Sequence, residues 1–385
     1  MCPNAGSFGA PPEPVRAVEN RLRDSWYEYP DLWYFGGELH RQNEYARECV
    51  GKTLRVPSSE IAVLSNATDA TLAVAQRWSN LLAKAPNSQE DVVMMLDLGY
   101  ASNKLILDRT CARRGGARVE MAHVPFPIKD EAEVLDSFET ALRKHRPRFV
   151  LLEHVLSQPA MLLPVNEMVA MCRSVGVEEV AVDAAHSFML SDIDIHGMDC
   201  DWWWSNMHKW GFGSCTATPI WGRAELMETT EHPIISWHVG EGLPSESAFT
   251  GTRDYHGVLS TPAALSYRDQ WRDEKGRNHA DHCKEGLAEG CELLRSAWQT
   301  EPASPAHMMA SMGMVQLPPA LVINDVPGVP GKGVRHALRE RFKIEAAVAN
   351  FGAKGNFVRV SHALYTTMND YQRLVDAVDT LISEQ

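Results

Sequence analysis

Between residues 61 and 183 the chain repeats one phrase: a short apolar run without polar alternation, a turn, then a stretch of helical periodicity. Ile61-Ala-Val-Leu-Ser precedes Asp69 to Ala83, and Asp91-Val-Val-Met-Met-Leu precedes Ser102 to Arg114. Phe149-Val-Leu-Leu precedes Val165 to Ser174, and Glu179-Val-Ala-Val-Asp closes the series. Parallel strands cannot be joined by a tight turn and need a crossover. Strand, loop and helix in repeated order therefore predict an α/β domain, a mainly parallel sheet covered by helices, up to about residue 260. In such sheets functional groups gather at the carboxyl ends of the strands. That singles out Asn66-Ala67-Thr68, Tyr100, His154 to Gln158 and Asp183 to His186.

On either side of this block the pattern changes. Val15 to Leu39 is mostly helical but interrupted by Pro30, and Glu44 to Leu54 reads as a short amphipathic helix. Beyond Thr261 a long polar helical stretch, Ala263 to Ser296, leads to a loop rich in Met, Ala and Pro. Strand-like runs follow at Gly313-Met-Val-Gln-Leu and Asn356-Phe-Val-Arg-Val, with helices over Gly333 to Phe342 and Met368 to Ser383. The expected division is an arm (1–25) packing with the small domain, a large domain (26–260) and a smaller α+β domain (261–385). The seam between domains is a natural ligand cleft.

Composition narrows the function. With 44% hydrophobic and 23% charged residues in 385, the chain is globular, and a net charge of -13 argues against nucleic acid or an anionic membrane as partner. No apolar stretch approaches a membrane span, and the Gly- and Pro-rich start lacks the pattern of a secretory signal. The eight cysteines are scattered, with no Cys-x-x-Cys and no Cys/His zinc spacing, so reduced thiols, no metal and a cytoplasmic location are expected. An enzyme of small molecules is the default class, and a binding protein the plainer alternative.

The segment richest in chemistry is Val180-Ala-Val-Asp-Ala-Ala-His-Ser, with Trp202-Trp-Trp-Ser-Asn-Met-His-Lys209-Trp ending its key residue 26 positions after Asp183. A carboxylate at a buried strand end is costly unless it meets a cation, and a protonated pyridine nitrogen is one. Lys209, among aromatics and beside His208, is expected to have a depressed pKa and to act as an amine nucleophile. An Asp and a Lys so placed are the two protein anchors of pyridoxal phosphate. Taken alone, Lys209 reads as a surface lysine snorkelling past tryptophans. The company of Asp183, His186 and His208 favours catalysis.

Asp183-Ala-Ala-His186 with Asn206-Met-His-Lys209-Trp resembles the cofactor signature of the class V aminotransferase superfamily, pyridoxal phosphate enzymes of fold type I. Within it the chain is similar to the branch of isopenicillin N epimerase and the hercynylcysteine sulfoxide lyase-like carbon-sulfur lyases. Asn4-Ala-Gly-Ser-Phe-Gly resembles that branch's Asn-His-Gly-Ser-Phe-Gly, and Gly251-Thr-Arg-Asp-Tyr255 matches its Gly-Thr-Arg-Asp-Tyr. The resemblance implies a large domain with a mainly parallel sheet of the seven-stranded type and a smaller C-terminal α+β domain. It also implies that Lys209 is the Schiff-base lysine and that Asp183 holds the pyridinium nitrogen. His186 and Ser157 would lie by the cofactor's ring hydroxyl, and Ala67, Thr68, Asn206 and His208 would form the phosphate cup, where a helix start suits an anion. Thr252 would reach the phosphate across the interface of a homodimer. Tyr100 would lie by the ring, to stack or to move a proton; the branch's His two residues earlier is Leu98 here. Arg359 matches an arginine that clamps the substrate α-carboxylate, against the alternative of a structural ion pair. Arg253 is either a substrate contact or an interface ion pair.

The resemblance leaves the reaction open. Desulfurases of the superfamily use a mobile cysteine in the small domain, yet none follows Cys291, and Cys215 is expected to be buried beside the cofactor. Epimerisation needs two acid/base groups on opposite faces, for which Lys209 and Tyr100 are candidates. Transamination needs a second half-reaction. β-Elimination needs α-proton removal by Lys209 and a leaving group. The expectation is a carbon-sulfur lyase acting on a cysteine conjugate or cysteine sulfoxide and releasing pyruvate and ammonia, with epimerase next, then aminotransferase. Trp33, Tyr34, Phe35, His40, Trp237 and His238 suggest a pocket for an aromatic or imidazole-bearing substrate. Trp202 to Trp204 and the Met308, Met309, Met312 and Met314 group read as packing.

Overall fold

A computed structural model describes residues 6–84, 91–322 and 333–385. Asn4 and Ala5 of the opening motif lie outside the described residues. The chain opens with helices α1 (Glu13–Glu28), α2 (Pro30–Tyr34) and α3 (Glu38–Leu54). Pro30 ends α1 because the residue before a proline is pushed out of the helical region, and Tyr29 is not helical (φ -142°, ψ 73°). The helix expected from Glu44 begins earlier, at Glu38.

The alternation follows: β1 (Ile61–Leu64), α4 (Ala67–Ala83), β2 (Val92–Leu96), α5 (Ala101–Leu107), β3 (Arg118–Ala122), α6 (Glu131–His145), β4 (Phe149–Glu153), α7 (Val165–Ser174) and β5 (Glu179–Asp183). It continues as α8 (Ile195–Met198), β6 (Trp202–Trp204), α9 (Met207–Trp210), β7 (Thr218–Gly222), α10 (Ala224–Thr229), α11 (Leu243–Glu246) and α12 (His256–Leu259). Strands β1 to β7 form one seven-stranded sheet in the order β1-β7-β6-β5-β4-β2-β3, with only β7 antiparallel to its neighbours. Every residue of β2, β4 and β5 is buried, because helices cover both faces. That burial explains the unbroken apolar runs. The three tryptophans of β6 are all fully buried strand residues, so the packing reading of them holds.

The smaller layer holds α13 (Thr261–Gln270), α14 (His279–Trp298), β8 (Met312–Gln316), α15 (Val334–Phe342), β9 (Ala347–Asn350), β10 (Asn356–Ser361) and α16 (Met368–Ser383). Its three strands run antiparallel in the order β8-β10-β9. The single helix expected from Ala263 to Ser296 is two helices. Gly276 turns the chain with φ +77°, Asp273 ties the loop to Arg277, and Asn278 caps the start of α14. Leu287, Leu294, Val358, Val360, Tyr371 and Leu374 are the centre of this layer's core. The four methionines are buried in core clusters.

Two approaches of the N-terminal segment need glycine. A Cβ on Gly9 would lie 2.2 Å from the Lys209 carbonyl oxygen, and one on Gly6 would lie 2.1 Å from Met312 Sδ. Residues 6–9 thus thread between α9 and β8. Helix α1 lies on α12 and α13.

Candidate active site

A cavity of about 430 Å³ opens at the carboxyl ends of β4 and β5 and is bounded by α4, α9, β10 and the N-terminal segment. Asp183 is the last residue of β5 and only 4% exposed. Its carboxylate accepts from Asn103 Nδ2 (2.8 Å) and from the Ala185 backbone N–H (3.0 Å). Burial raises its pKa, and those hydrogen bonds together with Lys209 pull the other way.

Lys209 stands on α9, a single turn whose first residues are held by β7 through Met207 N–H to the Ala217 carbonyl (3.0 Å). Its amine is brought down to about 8 by burial, with Arg359 pressing the same way and Asp183 and Glu153 opposing. Nζ lies 3.0 Å from His186 Nε2. His186 is itself buried and far below the usual imidazole range, so it is neutral.

Of the residues expected at the phosphate, Ala67, Thr68, Asn206 and His208 all line this cavity. Asn66 caps α4 by accepting from Asp69 N–H (3.0 Å). Asn206 Oδ1 accepts from the Ala67 N–H (3.1 Å) and the Thr218 hydroxyl (2.7 Å), so it braces the helix start. His208, kept neutral near 4 by burial, has a buried Nδ1 without a partner among the described residues. An unsatisfied buried ring nitrogen in a cavity beside a helix N-terminus is what a phosphate would complete.

Arg359 comes from β10 across the cleft and is 4% exposed. Nη1 donates to the Ser157 carbonyl (2.8 Å) and Nη2 to the Ser7 hydroxyl (2.7 Å), which aim the guanidinium into the cavity from two sides. Ser157 lines the same cavity, and Tyr100, the residue before α5, stands half exposed at its rim.

Other expected residues lie elsewhere. Thr252 lines a second cavity of about 360 Å³ with Tyr34, Phe35, His40, Trp237 and His238, and a single chain does not bring it to Lys209. Arg253 lies 4.2 Å from the Tyr255 ring centroid and donates to Thr250 Oγ1 (2.9 Å). Trp33 is not a pocket residue: it is buried and stacks on Trp26 at 5.4 Å. Cys215 is exposed rather than buried beside the cavity, because the chain turns outward between α9 and β7.

Sequence reasoning missed Glu153, Asn103 and Trp210. Glu153 ends β4 in register with Asp183, and its Oε1 accepts from the Tyr100 N–H and from Asn103 Nδ2. Burial lifts its carboxyl to about 8, with the Asp183 charge pushing the same way. Two carboxyls buried side by side do not both ionise easily, so Glu153 keeps its proton and Asp183 carries the charge. The signal available was an acid at the end of an apolar strand, the same signal that marked Asp183. Asn103 gave none, and Trp210 only its place beside Lys209 in the motif.

An Asp, a buried amine of lowered pKa, the start of α4 and a buried guanidinium thus share one cavity. These residues fit a pyridine aldehyde carrying a phosphate, and a carboxylate-bearing substrate beside it. Residues 10–374 match the family model for aminotransferase class-V. The chain is 30% identical to an L-cysteine desulfhydrase of Arabidopsis thaliana, covering 99% of this chain and 88% of the relative. It is 29% identical to an isopenicillin N epimerase of Streptomyces clavuligerus, over 88% of this chain and 84% of that one. A cystine C-S lyase solved with its product cysteine persulfide shares the fold (TM-score 0.73, 16% identity, 97% of this chain and 96% of that one).

Proposed function

The chain belongs to the class-V aminotransferase family, and on that premise we propose that it is a pyridoxal phosphate enzyme that breaks the carbon-sulfur bond of an L-cysteine derivative by β-elimination. With water, the products are pyruvate, ammonia and the departing sulfur group, which is sulfide from cysteine, a thiol from an S-substituted cysteine and a sulfenic acid from a sulfoxide. The observation that carries this is the meeting of Lys209, Asp183 and Arg359 in one cavity. Pyridoxal phosphate, when bound, supplies a carbonyl for amines and an electron-withdrawing ring that acidifies the substrate Cα–H.

The chain's own residues supply the rest. Lys209 holds the cofactor through its amine and then moves the proton at Cα; at about 8 its amine is available near neutral pH. Asp183 keeps the ring nitrogen protonated by charge. Arg359 grips the substrate carboxylate and so fixes which Cα bond lies perpendicular to the ring. His186 and Ser157 would stand by the ring hydroxyl, and Ala67, Thr68, Asn206 and His208 would hold the phosphate. Tyr100, at the rim, or a water would protonate the departing sulfur. Five described cysteines, Cys111, Cys172, Cys200, Cys283 and Cys291, are buried with thiols pushed up to about 12, which gives no support to a cysteine-nucleophile desulfurase.

We further propose the division into arm, large and small domains at 25 and 260, and a homodimer. Phe35, Ile235 and Trp237 are each over 70% exposed around the second cavity, and Thr252 lies there too. A second copy covering this face would carry Thr252 toward its partner's site and make the aromatic pocket part of the substrate's surroundings. Light scattering at micromolar protein tests it, and a monomer refutes it. Among the described residues no helix is long and apolar enough to cross a membrane; a cytoplasmic location is the proposal.

The deciding experiment is an absorbance spectrum of the protein with pyridoxal phosphate, then addition of L-cysteine, S-substituted cysteines and cysteine sulfoxides while pyruvate is assayed. Lys209→Ala is the control. Pyruvate formation lost in the variant supports the lyase. Solvent deuterium entering Cα without pyruvate selects an epimerase, and turnover only with an added keto acid selects an aminotransferase. A cofactor band indifferent to every amino acid selects a binding protein, and no band removes the cofactor reading.

A further inference from the structure

His186 is held between two side chains of α9. Its Nε2 lies 3.0 Å from Lys209 Nζ, and its Nδ1 lies 3.2 Å from Trp210 Nε1. The two contacts are chemically unequal. An indole nitrogen donates and cannot accept, so the Nδ1 that Trp210 meets must be bare. A neutral imidazole carries one ring hydrogen, which then sits on Nε2. That hydrogen faces Lys209, and a hydrogen bond there requires a lone pair on Nζ. An ammonium would set two donors face to face at 3.0 Å.

We infer that Trp210 is a positioning residue for Lys209: by donating to His186 Nδ1, its indole N–H fixes the imidazole hydrogen on Nε2 and so selects the neutral, nucleophilic amine. The surroundings agree. Trp210 and His186 are both buried, 6% and 2% exposed, so water does not offer either an alternative partner. The charged and titratable groups facing the pair are Asp183 from β5, Glu153 from β4, Arg359 from β10 and His208 from α9. Burial with Lys209, Arg359 and His208 nearby keeps His186 from becoming a cation, which would remove the bare Nδ1. Each of those groups survives a change at Trp210, so an altered amine there reports the lost indole hydrogen. The tautomer follows from geometry alone, whereas its use in cofactor attachment rests on the pyridoxal phosphate reading.

Trp210→Phe keeps the aromatic bulk and removes the donor. The first measurement is a two-bond proton-nitrogen correlation spectrum of cofactor-free protein labelled at histidine nitrogen, with the His186 signals identified by their absence in His186→Gln. At pH 9, above the Lys209 value, wild-type protein is expected to show the Nε2–H form. The Nδ1–H form, or an imidazolium, at that pH overturns the inference without Trp210→Phe having to fold. The second measurement is the rate at which the cofactor absorbance develops after pyridoxal phosphate is mixed with cofactor-free protein, followed against pH. Wild-type loading should inflect near 8. In Trp210→Phe the inflection should rise by about half to one pH unit, with loading at pH 7 slower by about 3- to 10-fold and equal again at high pH. An unchanged inflection overturns the inference. If wild-type protein develops no band at any pH, the cofactor reading fails, and the histidine spectrum still decides the tautomer.

Discussion

Replacing Glu153 with Gln tests the idea that one of two adjacent buried carboxyls stays protonated. Glu153 titrates near 8 in the folded protein and at about 4.3 when unfolded. A group whose folded pKa is raised contributes stability in full below the unfolded value and loses it as pH climbs through the folded value. The loss here spans pH 4 to 8 and amounts to roughly 3–5 kcal/mol, at 1.36 kcal/mol per unit with some relief from local relaxation. Gln keeps the side-chain oxygen that accepts from Tyr100 and Asn103 but cannot ionise. For 385 residues the unfolding entropy is about 0.8 kcal/mol/K, so the shift is about 4–6 °C. Differential scanning calorimetry of cofactor-free protein should find E153Q within about 1 °C of wild type at pH 5 and several degrees above it at pH 8.5. Equal offsets at both pH values would refute the protonated-acid assignment.

Arg359→Lys keeps the charge but loses the two-pronged geometry held by Ser157 and Ser7. The Michaelis constant for the amino-acid substrate should rise about 10- to 100-fold with kcat changed far less, measured by coupled pyruvate assay. Asp183→Asn removes the charge that the proposed function assigns to the ring nitrogen, and turnover should fall at least about 100-fold while the protein still folds, checked by circular dichroism. Gly290→Ala sets a Cβ 2.3 Å from Tyr371 Cζ, with α14 packed on α16. Overpacking there should cost about 1–3 kcal/mol and show in thermal unfolding without altering the pH at which the cofactor loads.

The sheet was legible because parallel strands covered on both faces write themselves as unbroken apolar runs, as β2, β4 and β5 do. β3 was not, since its exposed and half-buried residues at the sheet edge carry no such run. The tryptophans of β6 were read as packing because aromatics dominate buried area, and three in succession give no period that would mark a strand. The turn that splits α13 from α14 depends on Asp273 gathering Arg277 and His282, a local contact invisible to periodicity. At the site, Lys209 and Asp183 were legible as an amine and an acid in unfavourable surroundings. Asn103 and Trp210 were not, because their parts depend on which side chain they meet across the fold. Glu153 was overlooked although it ends its strand just as Asp183 does.

The hydrogen bond from Arg359 to Ser7 joins residues 352 positions apart. One wall of the cavity is therefore synthesised well before the opposite one. The seven-stranded sheet, complete by Gly222, is free to fold while the rest is still emerging, but it then holds a floor without a substrate clamp. A nascent chain stalled before β10 should be inert toward free amino acids, so competence arrives only with that strand.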